Sequence, residues 1–139
     1  MVADGNAHLP SLAVARSGQC TKRAGELGEA LAAKHLSASG YTILGRNLRL
    51  SGCEVDILAR QGDTVVVVEV KTRLSAAFGH PIEQISQAKM LRLIRAARAA
   101  AAAWAGANTR IDVIGVTAKA MTGGMLHGVE LTHVLNVSG

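Results

Sequence analysis

The stretch that most constrains the fold runs from Glu54 to Lys71 and predicts a β-hairpin. In the first arm, alternation puts Glu54, Asp56 and Leu58 on one face. The turn falls at Gly62, which can adopt a positive φ at no steric cost. The second arm, residues 64–71, contains four consecutive valines and therefore has no polar face. Such a strand is typical of the middle of a sheet that is covered on both sides.

Charged side chains lie where this predicted buried strand ends. A period of two puts Val65, Val67, Glu69 and Lys71 in one row, which Asp56 on the partner arm can face. An ionised side chain at the rim of a core is costly unless it is paired or bound to a metal ion. In one interpretation, the strand simply emerges into water and Asp56 pairs with Lys71. In the other, the two carboxylates bind Mg²⁺ or Mn²⁺, which prefer oxygen ligands, and the lysine contacts a developing oxyanion or a water nucleophile.

Composition and charge narrow the class of protein. The chain has 139 residues, the size of one domain, and 49% of them are hydrophobic. Lys and Arg number 15 against 10 acidic residues, and this net charge of +5 favours a polyanionic partner such as nucleic acid. No apolar run is long enough for a transmembrane helix, and no secretory signal is present, so no membrane partner is predicted. Cys20 and Cys53 fit no metal-ligand spacing, and we expect reduced thiols in a cytoplasmic protein.

The first predicted helix covers about residues 22–39, between an N-cap at Thr21 and a stop at Gly40. Residues 1–20 lack a period and predict a flexible N-terminal arm. On the helix, Glu29 lies in a stripe of small and apolar side chains. An acid in that position is either an edge glutamate paired with a nearby arginine or a member of a functional site.

The other segments complete a single α/β domain over residues 21–139. Pro81 is predicted to open a second helix that runs to about Trp104. On the next strand, Asp112 could serve the site or face water. The element order is α-β-β-β-α-β-β, with further strands over residues 41–50, 110–117 and 129–137 and a turn region over residues 118–126.

One side of the second predicted helix is basic. It lies opposite an apolar stripe and carries Lys89, Arg92, Arg95 and Arg98. Such a side is usually only solvated, but no acid between residues 85 and 105 neutralises this one. We therefore assign these four residues, together with Arg73 beyond the hairpin, to nucleic-acid binding through phosphate contacts.

Several segments together resemble the YraN family, over about residues 21–137. That family looks related to the archaeal-type Holliday junction resolvases, within the restriction-endonuclease-like PD-(D/E)xK superfamily. The segments that carry the resemblance are Gly25-x-x-Gly28-Glu29, Asn47, Gly52-Cys53-Glu54-Val55-Asp56-Ile57-Leu58, Val68-Glu69-Val70-Lys71-x-Arg73, Lys89 and Arg110-Ile111-Asp112-Val113.

The resemblance implies a restriction-endonuclease-like three-layer α/β fold, with a central mixed sheet flanked by helices. By position, Asp56 and Glu69 match the metal carboxylates of the superfamily, Lys71 matches its lysine, and Glu29 matches an acid from the first helix. A homodimer follows only by analogy with the resolvases. This chain departs from the family at Cys53, where glycine is usual.

Three hypotheses for the function follow. The first is a metal-dependent endonuclease that hydrolyses phosphodiester bonds in DNA or structured nucleic acid. Glu29, Asp56 and Glu69 would hold Mg²⁺ or Mn²⁺, and Lys71 and Glu54 would be catalytic. The second is a catalytically silent nucleic-acid-binding module on a nuclease fold. The third is a partner-binding protein in which the charge cluster is structural.

Overall fold

A computed structural model describes residues 17–74, 85–104 and 108–138. Most of the predicted N-terminal arm, residues 1–16, lies outside this part. Neither helix in the described part is both long and apolar enough to cross a membrane. The helices are α1 (Ser17–Ala38) and α2 (Gln87–Ala102), and the strands are β1 (Thr42–Leu50), β2 (Cys53–Gln61), β3 (Thr64–Arg73), β4 (Asn108–Thr117), β5 (Ala120–Thr122), β6 (Met125–His127) and β7 (Glu130–Val134).

Five of the seven described strands form a mixed sheet in the order β1-β2-β3-β4-β7. Strands β1, β2 and β3 follow one another antiparallel, and β3 and β4 are parallel across the connection that contains α2. Strand β7 returns antiparallel to β4. The predicted turn region instead holds the short β5–β6 ladder, which adds two strands to the predicted order.

Strand β3 is buried on both sides, as its valine run predicts. Val65 and Val67 belong to the core under α2, whereas Val66 and Val68 belong to the core under α1. All four are fully buried. The result is a three-layer α/β arrangement in which the helices cover opposite faces of the sheet.

Helix α1 begins earlier than predicted and ends at the predicted place. It starts at Ser17, so Thr21 lies inside the helix and is not its N-cap. At its other end Gly40 adopts a φ of +92°, and the N–H of Tyr41 donates to the carbonyl of Leu36 at 3.0 Å. These are features of a Schellman motif, which closes a helix by satisfying its last carbonyls.

Helix α2 begins at Gln87 rather than at Pro81, and Pro81 itself lies outside the described residues. Ser86 is the N-cap, and its hydroxyl accepts a hydrogen bond from the N–H of Lys89 at 3.1 Å. A proline suits the first turn but satisfies no free N–H group, whereas a serine side chain does. The serine therefore marks the start, which puts Lys89 in the first turn.

Candidate functional site

The candidate site lies at the fork between β2 and β3, where the two strands separate beyond Ile57 and Val68. Their backbone pairing runs from Gln61 opposite Thr64 to Ile57 opposite Val68. Next to the last pair, the Asp56 carboxylate accepts a hydrogen bond from the N–H of Val70 at 2.8 Å. The N–H of Val70 thus donates to a side chain of β2 rather than to its backbone, and this hydrogen bond fixes the carboxylate of Asp56 at the fork.

The side-chain alternation of β1 and β2 slips by one residue at this level. Cys53 and Val55 pack under α2 together with Leu58, so the prediction that Leu58 shares a face with Glu54 and Asp56 is wrong. The slip coincides with Asn47 of β1, which has a φ of +52°. Asparagine tolerates this left-handed conformation better than most residues. Together these irregularities set Asp56 outside the regular ladder.

Glu69 continues the row of Val65 and Val67 toward α2, as the two-residue period predicts, and only 4% of its surface is exposed. Its Oε2 lies 3.0 Å from the Nζ of Lys89 and 3.8 Å from the Nζ of Lys71. A buried carboxylate is costly without such partners. Two lysines from different elements therefore converge on one buried oxygen.

The negative charge of Glu69 acts on the ionisation of Asp56. The pKa of Asp56 is raised to about 6, chiefly by burial and then by the negative charge of Glu69. The hydrogen bond from Val70 opposes this rise, the charge of Glu29 adds to it, and the charge of Lys89 opposes it. The fork is therefore a place where negative charge is crowded and a cation is favoured.

Lys89 responds to the same charges in the opposite sense. Burial alone would lower its pKa, but the hydrogen bond and the charge of Glu69 outweigh burial, with further contributions from Asp56 and Cys53. The pKa of Lys89 is therefore raised, and the ammonium form is stabilised. Its side chain is one-third exposed, which distinguishes it from a fully solvated helix residue.

Glu29 approaches the fork from α1. The side chain is 12% exposed, and its Oε1 lies 3.3 Å from the Nη2 of Arg46. The arginine pairing that the sequence left open is thus present. The charge of Glu29 also acts on Asp56 and contributes to raising its pKa.

The residues of the fork match a divalent cation by chemical type, because Mg²⁺ and Mn²⁺ prefer oxygen ligands. Within residues 17–74, 85–104 and 108–138, no three His, Cys, Asp or Glu side chains are grouped so that they could hold a metal ion. The predicted set of three carboxylates is therefore not assembled as such. Mg²⁺, however, commonly binds one or two carboxylates and keeps several of its waters. Asp56 and Glu69 are two such carboxylates at the fork.

The other predicted catalytic residue, Glu54, lies at the rim. Its side chain is 81% exposed, and its Oε2 accepts a hydrogen bond from Arg49 at 3.1 Å. Glu54 and Asp56 both line a shallow cavity of about 190 Å³, together with Asn47 and Arg49. The cavity reaches the fork at Asp56, from the β1–β2 side.

The predicted basic side of α2 divides into two parts. Arg92, Arg95 and Arg98 are exposed. Lys89 instead reaches back to Glu69, so it is not a freely solvated member of that group. Arg73 ends β3 and is partly buried.

The comparison with known proteins identifies the family. The model of the Uncharacterised protein family UPF0102 matches residues 28–116. The chain belongs to this family. The match agrees with the resemblance to YraN proteins that the motifs carry. It includes all the residues of the fork described above.

Individual UPF0102 proteins align over different lengths. The protein of Chloroflexus aurantiacus is 41% identical over 121 residues, which cover 85% of this chain and 94% of the relative. That of Moorella thermoacetica is 45% identical over 97 residues, 68% of this chain and 81% of the relative. That of Leifsonia xyli is 49% identical over 65 residues, so this chain spans about half the length of that relative.

This UPF0102 chain also contains a buried charge network that sequence patterns did not predict. Asp112 is fully buried on the α1 side of β4, so it neither faces water nor joins the fork. It accepts hydrogen bonds from Arg110 Nε at 2.9 Å, His133 Nε2 at 2.9 Å and the Asn136 N–H at 3.0 Å. Burial would raise its pKa, but these donors together lower it. The network ties β7 and the segment after it to the sheet.

Proposed function

We propose that this chain is a metal-dependent nuclease that hydrolyses phosphodiester bonds in DNA or structured nucleic acid. The observation that supports this most directly is the pair of carboxylates at the fork, Asp56 and Glu69, with Lys71 beside them. Family membership alone does not carry the proposal, because neither the family description nor the names of the relatives state an activity.

In the proposed site, Asp56 and Glu69 would hold Mg²⁺ or Mn²⁺. When bound, such an ion neutralises charge on the phosphate and acidifies water. The hydrogen bond from the Val70 N–H leaves the other Asp56 oxygen available as a ligand. The side chain of Glu69 extends from β3 and can move little, because it is almost wholly buried.

Lys71 is the proposed electrostatic catalyst. Its side chain is 24% exposed, and its Nζ lies 3.8 Å from Glu69, beyond ideal hydrogen-bonding distance. The ammonium group of Lys71 therefore remains able to donate a hydrogen bond to a phosphate oxygen or to orient a water molecule. A fixed cation next to developing negative charge stabilises the transition state.

Substrate binding in this proposal involves α2. Arg92, Arg95 and Arg98 are exposed, on the helix whose first turn carries Lys89 to the carboxylates. A polyanion bound along these residues would be held next to the fork. Phosphate contacts of this kind give affinity without base specificity.

A cleavage assay tests the proposal. Branched, flap, single-stranded and linear duplex substrates are incubated with the protein and Mn²⁺ or Mg²⁺, and Asp56→Asn serves as the matched inactive variant. We expect cleavage by the wild type that needs the divalent cation and is lost in the variant. Absence of cleavage on the whole panel with either metal would reject the nuclease.

A silent nucleic-acid-binding module is the second candidate. One observation favours it: each carboxylate of the fork already has a partner within the protein, namely Val70 for Asp56, two lysines for Glu69 and Arg46 for Glu29. In this case wild type and Asp56→Asn would bind nucleic acid equally, and neither would cut it. The same panel, read once by gel shift and once by cleavage, distinguishes the two functions.

A further inference from the structure

Lys89 forms the tighter of the two lysine contacts at the fork. Its Nζ is 3.0 Å from Glu69 Oε2, whereas Lys71 Nζ is 3.8 Å from the same oxygen. The geometry points to Lys89 as an internal cation that occupies the carboxylate site, and that a divalent ion must displace in order to bind. This inference rests on the proposed function, because it takes Asp56 and Glu69 as the cation site, and it adds how loading of that site is controlled.

Lys89 and a divalent ion compete for Glu69 because the carboxylate that both would contact is buried. The Glu69 side chain is 5% exposed, so few directions of approach to its carboxylate remain. A divalent ion at the same carboxylate would face the ammonium group of Lys89 at short range, where like charges repel strongly and solvent screens little. Both cations gain from Asp56 and Glu69, but they do not occupy the same position together.

The position of Lys89 on α2 makes its displacement feasible. It lies in the first turn, where the partial positive charge of the helix end disfavours a lysine. The described first turn contains no acidic residue that would offset this effect. Glu69 therefore supplies the main attraction that holds the ammonium group inward. The flexible side chain is already 32% exposed and can turn outward.

Displacement of Lys89 from Glu69 would also couple binding of the divalent cation to binding of the polyanion. Lys89 precedes Arg92 by one helical turn, so an outward-turned Lys89 adds a fourth positive charge to the exposed arginines. A bound polyanion would then favour the state in which Glu69 is open to the metal. By linkage, each ligand raises the affinity of the other by the same factor.

Titration calorimetry with Mn²⁺ alone tests the competition on the full chain. Lys89→Met removes the ammonium group and keeps an unbranched apolar side chain. Lys34→Met is the matched control, since Lys34 is exposed on α1 and has no ion pair in the described part of the chain. It makes the same change in net charge. We expect Lys89→Met to bind Mn²⁺ about tenfold more tightly than the control, a change that corresponds to about 1.4 kcal/mol.

Thermal unfolding gives a second readout that does not depend on activity. Without metal, Lys89→Met should melt below the control, because Asp56 and Glu69 then lose the shorter of their two lysine contacts and repel each other more strongly. Mn²⁺ should raise its melting temperature more than that of the control. Lys89→Gln, which removes the charge but keeps a polar side chain, should also bind Mn²⁺ more tightly than the control, and it carries the test if Lys89→Met does not fold. Lys89→Arg, which keeps the charge, should bind Mn²⁺ like the wild type.

The outcomes separate this inference from the proposed function. Equal Mn²⁺ affinity for Lys89→Met and Lys34→Met would overturn the competition and leave the metal site standing. The same holds if Lys89→Arg binds more tightly than the wild type. Absence of Mn²⁺ binding by every protein at millimolar concentration would overturn both the metal site and the competition.

Discussion

Gly28 of α1 lies so close to Thr72 of β3 that a Cβ atom at position 28 would overlap the threonine hydroxyl and lie 3.1 Å from its Cβ. The absence of a side chain lets the helix rest directly on the strand. The next residue is Glu29, and the strand carries Glu69 and Lys71 just before Thr72. This contact therefore sets the distance between the acid of the helix and the charged end of the strand.

We expect Gly28→Ala to destabilise the fold by about 1–3 kcal/mol, the usual cost of overpacking. Gly25→Ala is the control on the same helix, because nothing lies within 4 Å of a Cβ atom there. That change should stabilise the protein by about 0.5–1 kcal/mol through helix propensity. Urea unfolding of both variants measures the difference. Equal stabilities would show that the helix does not depend on this close approach.

The second prediction is that cation binding depends on pH through Asp56. Its pKa is raised to about 6, chiefly by burial and then by Glu69. Below that pH the carboxyl group is mostly protonated and competes poorly for a metal ion. We expect the Mn²⁺ affinity of the wild type to fall about tenfold per pH unit below pH 6, as expected for one proton displaced. Titration calorimetry between about pH 5 and 8 measures this profile.

The same shift also affects stability without metal. In the folded protein the pKa of Asp56 is about 6, whereas the ordinary pKa of an aspartate side chain is 3.8. The folded state therefore binds more protons in this window, and the contribution of Asp56 to stability falls as the pH rises from about 4 to about 6. Asp56→Asn should lack this contribution and bind Mn²⁺ weakly at every pH. A flat affinity profile in the wild type would contradict the assignment of Asp56 as a ligand.

The third prediction concerns the exposed arginines of α2. If Arg92 and Arg95 each contact a phosphate, then replacing both with alanine reduces the number of counterions that are released when DNA binds. The slope of log affinity against log salt on duplex DNA should become smaller by about 0.9 for each arginine. Fluorescence anisotropy at several salt concentrations measures the slope. An Arg23→Ala variant is the control, since Arg23 pairs with Glu26 on α1. Unchanged affinity and slope in the double variant would indicate an ordinary solvated face.

Much of the scaffold was predictable because it follows from local chemistry. Four adjacent valines have no polar face, and they form the doubly covered strand β3. Gly62, with a φ of +61°, turns the hairpin, and Gly40 ends α1. These features need only the chain itself. Glu69 and Lys71 likewise follow from the two-residue period of β3.

The details of the site depended on contacts between distant segments. The period of two assumes a regular strand, and it failed at Asp56 because β1 and β2 slip together at the level of Asn47. A helical projection gives directions around the helix axis but not what lies opposite, so Lys89 was grouped with the exposed arginines. Asp112 is buried because partners from several segments satisfy it, and no local pattern announces such a network.

The last prediction separates an enzyme from a binding module and concerns Lys71. The sequence alone leaves open a structural role for Lys71, in which it neutralises Asp56 and Glu69. In the structure Lys89 has that role, since its Nζ lies 3.0 Å from Glu69 Oε2, whereas the Nζ of Lys71 lies 3.8 Å from the same oxygen. The charge of Lys71 should therefore matter little for folding. It should matter when negative charge grows on the phosphate, because only interactions that strengthen in the transition state raise the rate.

We expect Lys71→Ala to keep its melting temperature within about 5 °C, as a change of under about 1 kcal/mol would allow. It should still bind DNA, and it should lose cleavage by about 10²-fold or more, the effect of removing one preorganised electrostatic donor. Single-turnover cleavage with Mn²⁺, measured alongside thermal unfolding, gives both quantities for the wild type and the variant. Cleavage at the wild-type rate would leave the nuclease standing and remove Lys71 from its mechanism. A large fall in melting temperature that Mn²⁺ reverses would instead make Lys71, and not only Lys89, a neutralising partner of the two carboxylates.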